Sequence, residues 1–203
     1  MITSYNLEAV GDCLLCVVAN DAGQEIKFER KGDVTKVCAA ETGEVLGWNI
    51  FSASKHLTDL SGNGQIFLTD QQKTEVQELV EQAGFADQII FDDSPKFVVG
   101  FVKSCVPHPD SDHLNITQTE VDNGEVVQIV CGAPNIKAGL KVVVAKVGAM
   151  MPDGLIIWPG ELRGEKSNGM ICSAKELGLP NAPTKRGILE LSMDYEVGSV
   201  FEH

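Results

Sequence analysis

Apolar and β-branched residues come in short runs over the first part of the chain, and the period then changes. The segments ITSYNL, DCLLCVVAN, QEIKFERKGDVTKVCAA and EVLGWNIF read as strands, with Asn20-Asp21-Ala22-Gly23 as a hairpin turn between the second and third, so an antiparallel sheet is predicted. From Asp70 the apolar positions Val76, Leu79, Val80 and Ala83 recur at helical spacing. Thr69 and Gln72 stand at capping-box spacing and Gly84 suits a C-terminal stop, which predicts a helix over about 70–83. Laid on the sheet by its apolar stripe, that helix completes a small α+β domain over 1–90. Asp92-Asp93-Ser94-Pro95-Lys96 is polar and carries a proline that disfavours helix before it, so 91–96 is expected to be a linker.

After the linker the pattern is that of a small barrel. Candidate strands are Phe97–Val106, Leu114–Val121, Val126–Val130, Lys141–Lys146 and Leu155–Ile157, with Asp122-Asn123-Gly124 turning between the second and third. APNIKAGL, between the third and fourth, is long enough for only a turn or so of helix. Gly160, Gly164 and Gly169 predict an irregular loop, followed by a short helix at Ala174–Leu177 and a closing strand at Ile188–Leu191.

Charge complicates any nucleic-acid reading. The net charge is −13, whereas binding to phosphates draws on Lys and Arg that release counterions. Residues 1–96 hold 7 Lys and Arg against 16 Asp and Glu, and 97–203 hold 9 against 13, so most of the excess lies in the first part. Lys137, Lys141, Lys146, Arg163, Lys166, Lys175, Lys185 and Arg186 can still form a basic face on the second. There is neither a basic-then-apolar leader pattern nor an apolar run of membrane-spanning length, and the expectation is a soluble, cytoplasmic protein. Its six cysteines mostly sit in apolar runs and are expected to be free thiols. Cys13-Leu14-Leu15-Cys16 has zinc or redox spacing but lacks a second ligand pair or a following helix. His108, Asp110, Asp112 and His113 have ligand chemistry, yet Pro107 and Pro109 stiffen the segment against convergence on one ion. No catalytic residue, cofactor or metal is expected. Trp48 is expected in a core or between domains, and Trp158 leaves stacking on RNA and shielding of a barrel end both open.

Three segments taken in order, HPDSDHL at 108–114, VCGAPN at 130–135 and LRGEKSNGMICSAKELGL at 162–179, resemble the tRNA-binding domain of the phenylalanyl-tRNA synthetase beta chain and the methionyl-tRNA synthetase C-terminus. The resemblance runs from about Phe97 to the C-terminus, and the two-part arrangement looks like the bacterial YtpR-type proteins. It implies an all-β oligonucleotide-binding (OB) barrel with a C-terminal extension over 97–203, a non-catalytic function, and tRNA recognised by shape and backbone. In HPDSDHL, Asp112 is then expected to bond amides in the turn and Leu114 to enter the core, with His113 where many relatives carry Arg or Lys. Within the third segment Arg163 and Lys166 can reach phosphates, and Ser167, Asn168 and Ser173 can hydrogen-bond sugars or base edges. Met170 is open between contact with a base and plugging the barrel. Asn135, at the barrel rim, is carried over as an RNA contact. Stand-alone relatives of the barrel are often dimers, and a homodimer is one expectation. The rival reading is a protein-interaction module, with the barrel or the acidic N-terminal domain docking a protein partner.

Overall fold

The computed structural model describes residues 1–202. The chain divides into two compact units, Met1–Asp93 and the remainder from Ser94. It is mostly β with few helices, and no helix among the described residues is long and apolar enough to cross a membrane.

In the first unit the order is β1 (Ile2–Asn6), α1 (Leu7–Val10), β2 (Cys13–Val17), β3 (Ile26–Lys31), β4 (Val34–Ala39), β5 (Val45–Phe51), α2 (Ala53–His56), β6 (Asn63–Ile66) and α3 (Asp70–Gln82). The strands form one antiparallel sheet ordered β3-β4-β5-β2-β1-β6. Helix α3 begins at a capping box in which the Thr69 hydroxyl accepts from the Gln72 amide while the Gln72 carbonyl oxygen accepts from the Thr69 amide. Its Val76 and Val80 are buried with Leu14, Trp48 and Ile50, and Trp48 meets Phe85 edge-on at 5.3 Å. Asn20–Gly23 is a turn, but not the hairpin expected. β2 lies between β1 and β5, and β3 stands three places away. The hairpin is inside the third segment, at Gly32-Asp33, where Lys31 pairs with Val34. Local turn chemistry marks where the chain reverses, whereas the buried faces decide which strands then meet.

In the second unit β7 (Phe97–Pro107), β8 (Asn115–Asp122), β9 (Glu125–Cys131) and β10 (Lys141–Ala145) are followed by β11 (Gly160–Leu162), β12 (Glu165–Ser167), β13 (Met170–Ile171) and β14 (Glu190–Leu191). The main sheet is ordered β13-β10-β7-β8-β9, with β14 also on β10 and β11-β12 as a separate pair. The turn from β8 to β9 uses Asn123 and Gly124, at φ +27° and +92°, the conformation a two-residue hairpin needs. β10 is buried on both faces. Val142 and Val144 join a core with Val98, Val102, Val121, Ile129 and Ile171, while Val143 and Ala145 join another with Met151, Ile157 and Leu177, which is why this strand reads as an unbroken apolar run. Gly100 lets β7 approach it, since a Cβ there would lie 2.6 Å from Val144 Cγ2.

Four expectations for this unit are corrected. Leu155–Ile157 is not a strand: one bridge, Met150 to Ile156, closes a tight loop around Pro152-Asp153-Gly154, and the outer place beside β10 goes to β13. The glycine-dense stretch is not irregular either. Arg163 and Gly164, at φ +50° and +89°, make the turn of hairpin β11–β12, so glycine serves there as the turn residue itself. Ala174–Leu177 forms a turn, not a helix, and only Glu190 and Leu191 of the closing segment pair with β10.

Candidate RNA-binding surface

HPDSDHL forms the turn from β7 to β8 and serves as the seat of the β11–β12 hairpin. His108 is 3% exposed. Its Nδ1 accepts from the Asp110 amide at 3.0 Å, so the proton assigned by this network sits on Nε2, which donates to the Leu162 carbonyl at 3.1 Å. Arg163 Nη1 donates to the Asp110 carbonyl at 2.6 Å. The first and third motifs are thus joined by two hydrogen bonds across the turn. Ser111 takes the role expected of Asp112: its hydroxyl accepts from the amides of His113 and Leu114 at 3.4 and 3.3 Å. The Asp112 carboxylate instead faces the His113 ring at 2.8 Å, and that contact draws its pKa below the usual carboxylate value. Leu114 is half-buried.

The seven expected contact residues fall into two places. Arg163 and Lys166 are exposed on the hairpin, and Asn168 is half-buried just beyond it. The segment from Lys166 to Asn168 is stitched to the free edge of β9. Asn168 N–H donates to the Gln128 carbonyl at 2.8 Å, Gln128 Nε2 to the Lys166 carbonyl at 2.9 Å, and Val130 N–H to Ser167 Oγ at 3.1 Å. Ser167 is 6% exposed, and its hydroxyl also donates to the Gly169 carbonyl at 3.3 Å. It braces β9 against the loop, with its one proton committed to Gly169 and one of its two lone pairs to Val130.

Asn135, Met170 and Ser173 line an open groove of about 1280 Å³. Asn135 works as a clasp: its Oδ1 accepts from the Ile188 amide at 2.9 Å, and its Nδ2 donates to the Ile188 carbonyl at 3.1 Å and to Glu190 Oε1 at 2.8 Å. Ser173 caps the turn that follows it. Its hydroxyl donates to Glu176 Oε2 at 2.6 Å and accepts from the Glu176 amide at 3.2 Å. Met170 is half-buried on β13, against the core that holds Val143 and Met151.

The same groove brings in Lys175, Lys185 and Arg186, exposed cations that the sequence reading counted as basic without placing in the site. Its carboxylates are engaged locally. Glu176 holds Ser173, Glu190 holds Asn135, and Asp153 Oδ1 accepts from the Leu155 amide at 3.0 Å. Among the described residues the three cations form no ion pair, so their N–H groups face solvent. One signal could have found two of them: Lys185-Arg186 is the only adjacent basic pair after residue 97. Gly132 keeps the floor open beside them, since a Cβ there would come within 3.1 Å of Leu114 Cδ2 and 3.7 Å of Arg186 Nη2.

The cysteines offer no reactive centre. Cys16 and Cys172 are buried, and desolvation pushes both thiols up to about 12. Burial likewise raises Cys13, Cys105 and Cys131. Since the thiolate is the reacting form, a disulfide-exchange reagent at neutral pH should modify the native protein slowly, at half-buried Cys105 first, and reach all six thiols only on unfolding. Thiol titration with peptide mapping checks this. Fast modification of Cys16 or Cys172 in the native protein would refute the buried assignment.

All three motifs and every group in the groove fall within residues 97–200, the span that matches the family model described as "Putative tRNA binding domain". A protein of Bacillus subtilis (strain 168), "Putative tRNA-binding protein YtpR", is 48% identical over 198 residues, covering 98% of each chain. The chain belongs to this tRNA-binding-domain family. The phenylalanine–tRNA ligase beta subunit of Halalkalibacterium halodurans is 47% identical over 132 residues, which are 62% of this chain and 16% of that subunit. Residues 21–92 match a separate model, "Domain of unknown function (DUF4479)". Among solved structures, a MetRS related protein from Pyrococcus horikoshii is similar over 55% of this chain and 97% of its own, at 17% identity and a TM-score of 0.38.

Proposed function

We propose that this protein binds tRNA without catalysing a reaction on it, using the second unit as an OB barrel that reads RNA shape and backbone. The observation that carries the reading is the groove in which Lys175, Lys185 and Arg186 stand exposed and, among the described residues, without ion pairs, inside the span that matches the tRNA-binding family. Closure into a barrel is supported by the stitching of β9 to residues 166–168, which draws the two ends of the five-stranded order together. Asn135 and Ser167 act in this proposal as braces. Arg163, Lys166, Asn168, Met170 and Ser173 border the path of the RNA. The cytoplasm, where tRNA is found, is the proposed compartment.

Three cations beside three carboxylates cannot neutralise many phosphates, so affinity will be modest at physiological salt and will fall steeply as salt rises. Fluorescence anisotropy with bulk tRNA and with duplex DNA of matched length, over a series of KCl concentrations, tests the reading. tRNA should bind better than DNA at each concentration and with little preference among tRNA species, because 2′-hydroxyls and A-form geometry are read while base sequence is not. Equal affinity for the two polymers would remove shape reading from the account. In the same assay Lys166→Ala should lower the log–log salt slope by roughly 0.9, as expected for one contact with duplex-like RNA, and leave the melting temperature unchanged. Arg163→Ala should also lower the melting temperature, since its guanidinium ties the hairpin to Asp110.

A further inference from the structure

The sheet of the first unit ends in two very different edges. On one side β6 is four residues long, contains Gly64 and is preceded by Gly62, with φ +123° and +156°, a conformation that frustrates further pairing. On the other side β3 runs six residues without a proline, and its register with β4 holds unbroken from Ile26 to Lys31. Natural sheets usually blunt such an edge, often with charges, and β3 carries Lys27, Glu29, Arg30 and Lys31, yet it also presents Phe28 at 75% and Ile26 at 53% exposure.

Hydrogen-bond phase decides what that edge can take. Lys31 pairs with Val34 across a two-residue turn, and the Ala40 amide donates to the Glu25 carbonyl at 2.8 Å, so the odd-numbered residues of β3 bond inward to β4. Ile26, Phe28 and Arg30 therefore aim their N–H and C=O groups outward, and all three are exposed. An antiparallel strand with its two-fold axis at Phe28 would place Phe28 opposite Phe28 of the partner subunit and Ile26 opposite Arg30 of the partner subunit. Each is a hydrogen-bonding position, and together they supply six backbone bonds. The same register sets Lys27 across from Glu29 of the partner subunit, twice, at the closer non-hydrogen-bonded positions where side chains meet most directly. Glu29 is exposed and has Lys31 at 3.3 Å as its ion pair within the chain, while half-buried Lys31 also donates to the Gly84 carbonyl at 3.0 Å.

We propose that β3 is an interface with a second copy of this chain, forming a two-fold antiparallel pair centred on Phe28 that joins two sheets into one. The occupant is a second copy because the strand is complementary to itself: Phe28 meets Phe28 of the partner subunit, Lys27 meets the opposite charge of Glu29 of the partner subunit, and every outward backbone group finds a partner in one register. An unrelated strand would satisfy the backbone but not the two Lys27–Glu29 pairs.

Sedimentation equilibrium of the full chain tests this. The wild type should dimerise at micromolar concentrations. Phe28→Pro removes an outward N–H and leaves the inward ladder with β4 intact, so it should give a monomer with an unchanged circular dichroism spectrum, whereas Phe28→Ala should only weaken the dimer. Lys27→Glu or Glu29→Lys alone replaces two attractive pairs by two repulsive ones and should raise the dimer dissociation constant about tenfold or more. Mixing these two single variants, or combining both changes in one chain, restores opposite charges across the axis and should restore the dimer. A wild type that stays monomeric, or a dimer indifferent to Phe28→Pro and to the charge changes, overturns the proposal. The second result would assign dimerisation to another surface.

Discussion

Replacing Lys175, Lys185 and Arg186 together with alanine will weaken tRNA binding by about a hundredfold, taking each phosphate contact as roughly 1 kcal/mol. The log–log salt slope will fall by about 2 to 3 at the same time, since each contact with duplex-like RNA accounts for about 0.9. Folding should be unaffected, because the three side chains are exposed and form no ion pair among the described residues. The salt slope separates this from a general loss of structure. A damaged fold lowers the active fraction and leaves the slope of what remains unchanged, whereas lost phosphate contacts change the slope itself. If affinity and slope both match the wild type while Lys166→Ala retains its effect, the RNA path follows the β11–β12 hairpin and the groove serves another purpose.

The contrast between groove and hairpin shows what could be read from the sequence and what could not. Helix α3 was legible to its cap, because the capping box and the 3.6-residue stripe are local signals that tertiary packing had no reason to override. Strands β7 to β10 were legible for a similar reason, with an Asn-Gly turn at 123–124 fixing one hairpin. Pairing at a distance was not legible. Nothing in the local sequence places β2 between β1 and β5, since antiparallel strands of similar composition can exchange neighbours without changing their own pattern.

The site followed the same division. Motif order was visible, but the direction of each polar side chain was not. Ser167 and Asn135 are small polar residues in family motifs, the profile of a ligand contact, yet their bonds run inward to Val130 and Ile188. His108 gave the impression of a possible metal ligand, and both of its nitrogens turn out to be engaged, one with Asp110 and one with Leu162. In this fold Asn135 and Ser167 fasten the loops that carry them.

Asn135 gives the sharpest test of that distinction. Asn135→Ala strands the amide and carbonyl of Ile188, releases Glu190, and removes the side chain that Gly187 is shaped to admit, since a Cβ at 187 would lie 2.8 Å from Asn135 Oδ1. A loss of about 2 to 3 kcal/mol of stability is expected from buried partners left unsatisfied. tRNA affinity should fall with it, because the segment carrying Lys185 and Arg186 loses its anchor. Asn135→Asp makes the more specific prediction. It keeps the acceptor for the Ile188 amide but sets a carboxylate against the Ile188 carbonyl and Glu190, and both disfavour the charged form. The introduced carboxyl should therefore have a raised pKa in the folded state. A raised folded-state pKa means that the native protein binds the proton more tightly than the unfolded chain, so stability relative to wild type should recover as pH falls through that pKa and worsen as pH rises above it. Chemical denaturation of both variants between acidic and neutral pH reads this directly. An Asn135→Ala protein that melts like wild type and only binds RNA less well would show that the carboxamide is a contact and not a clasp.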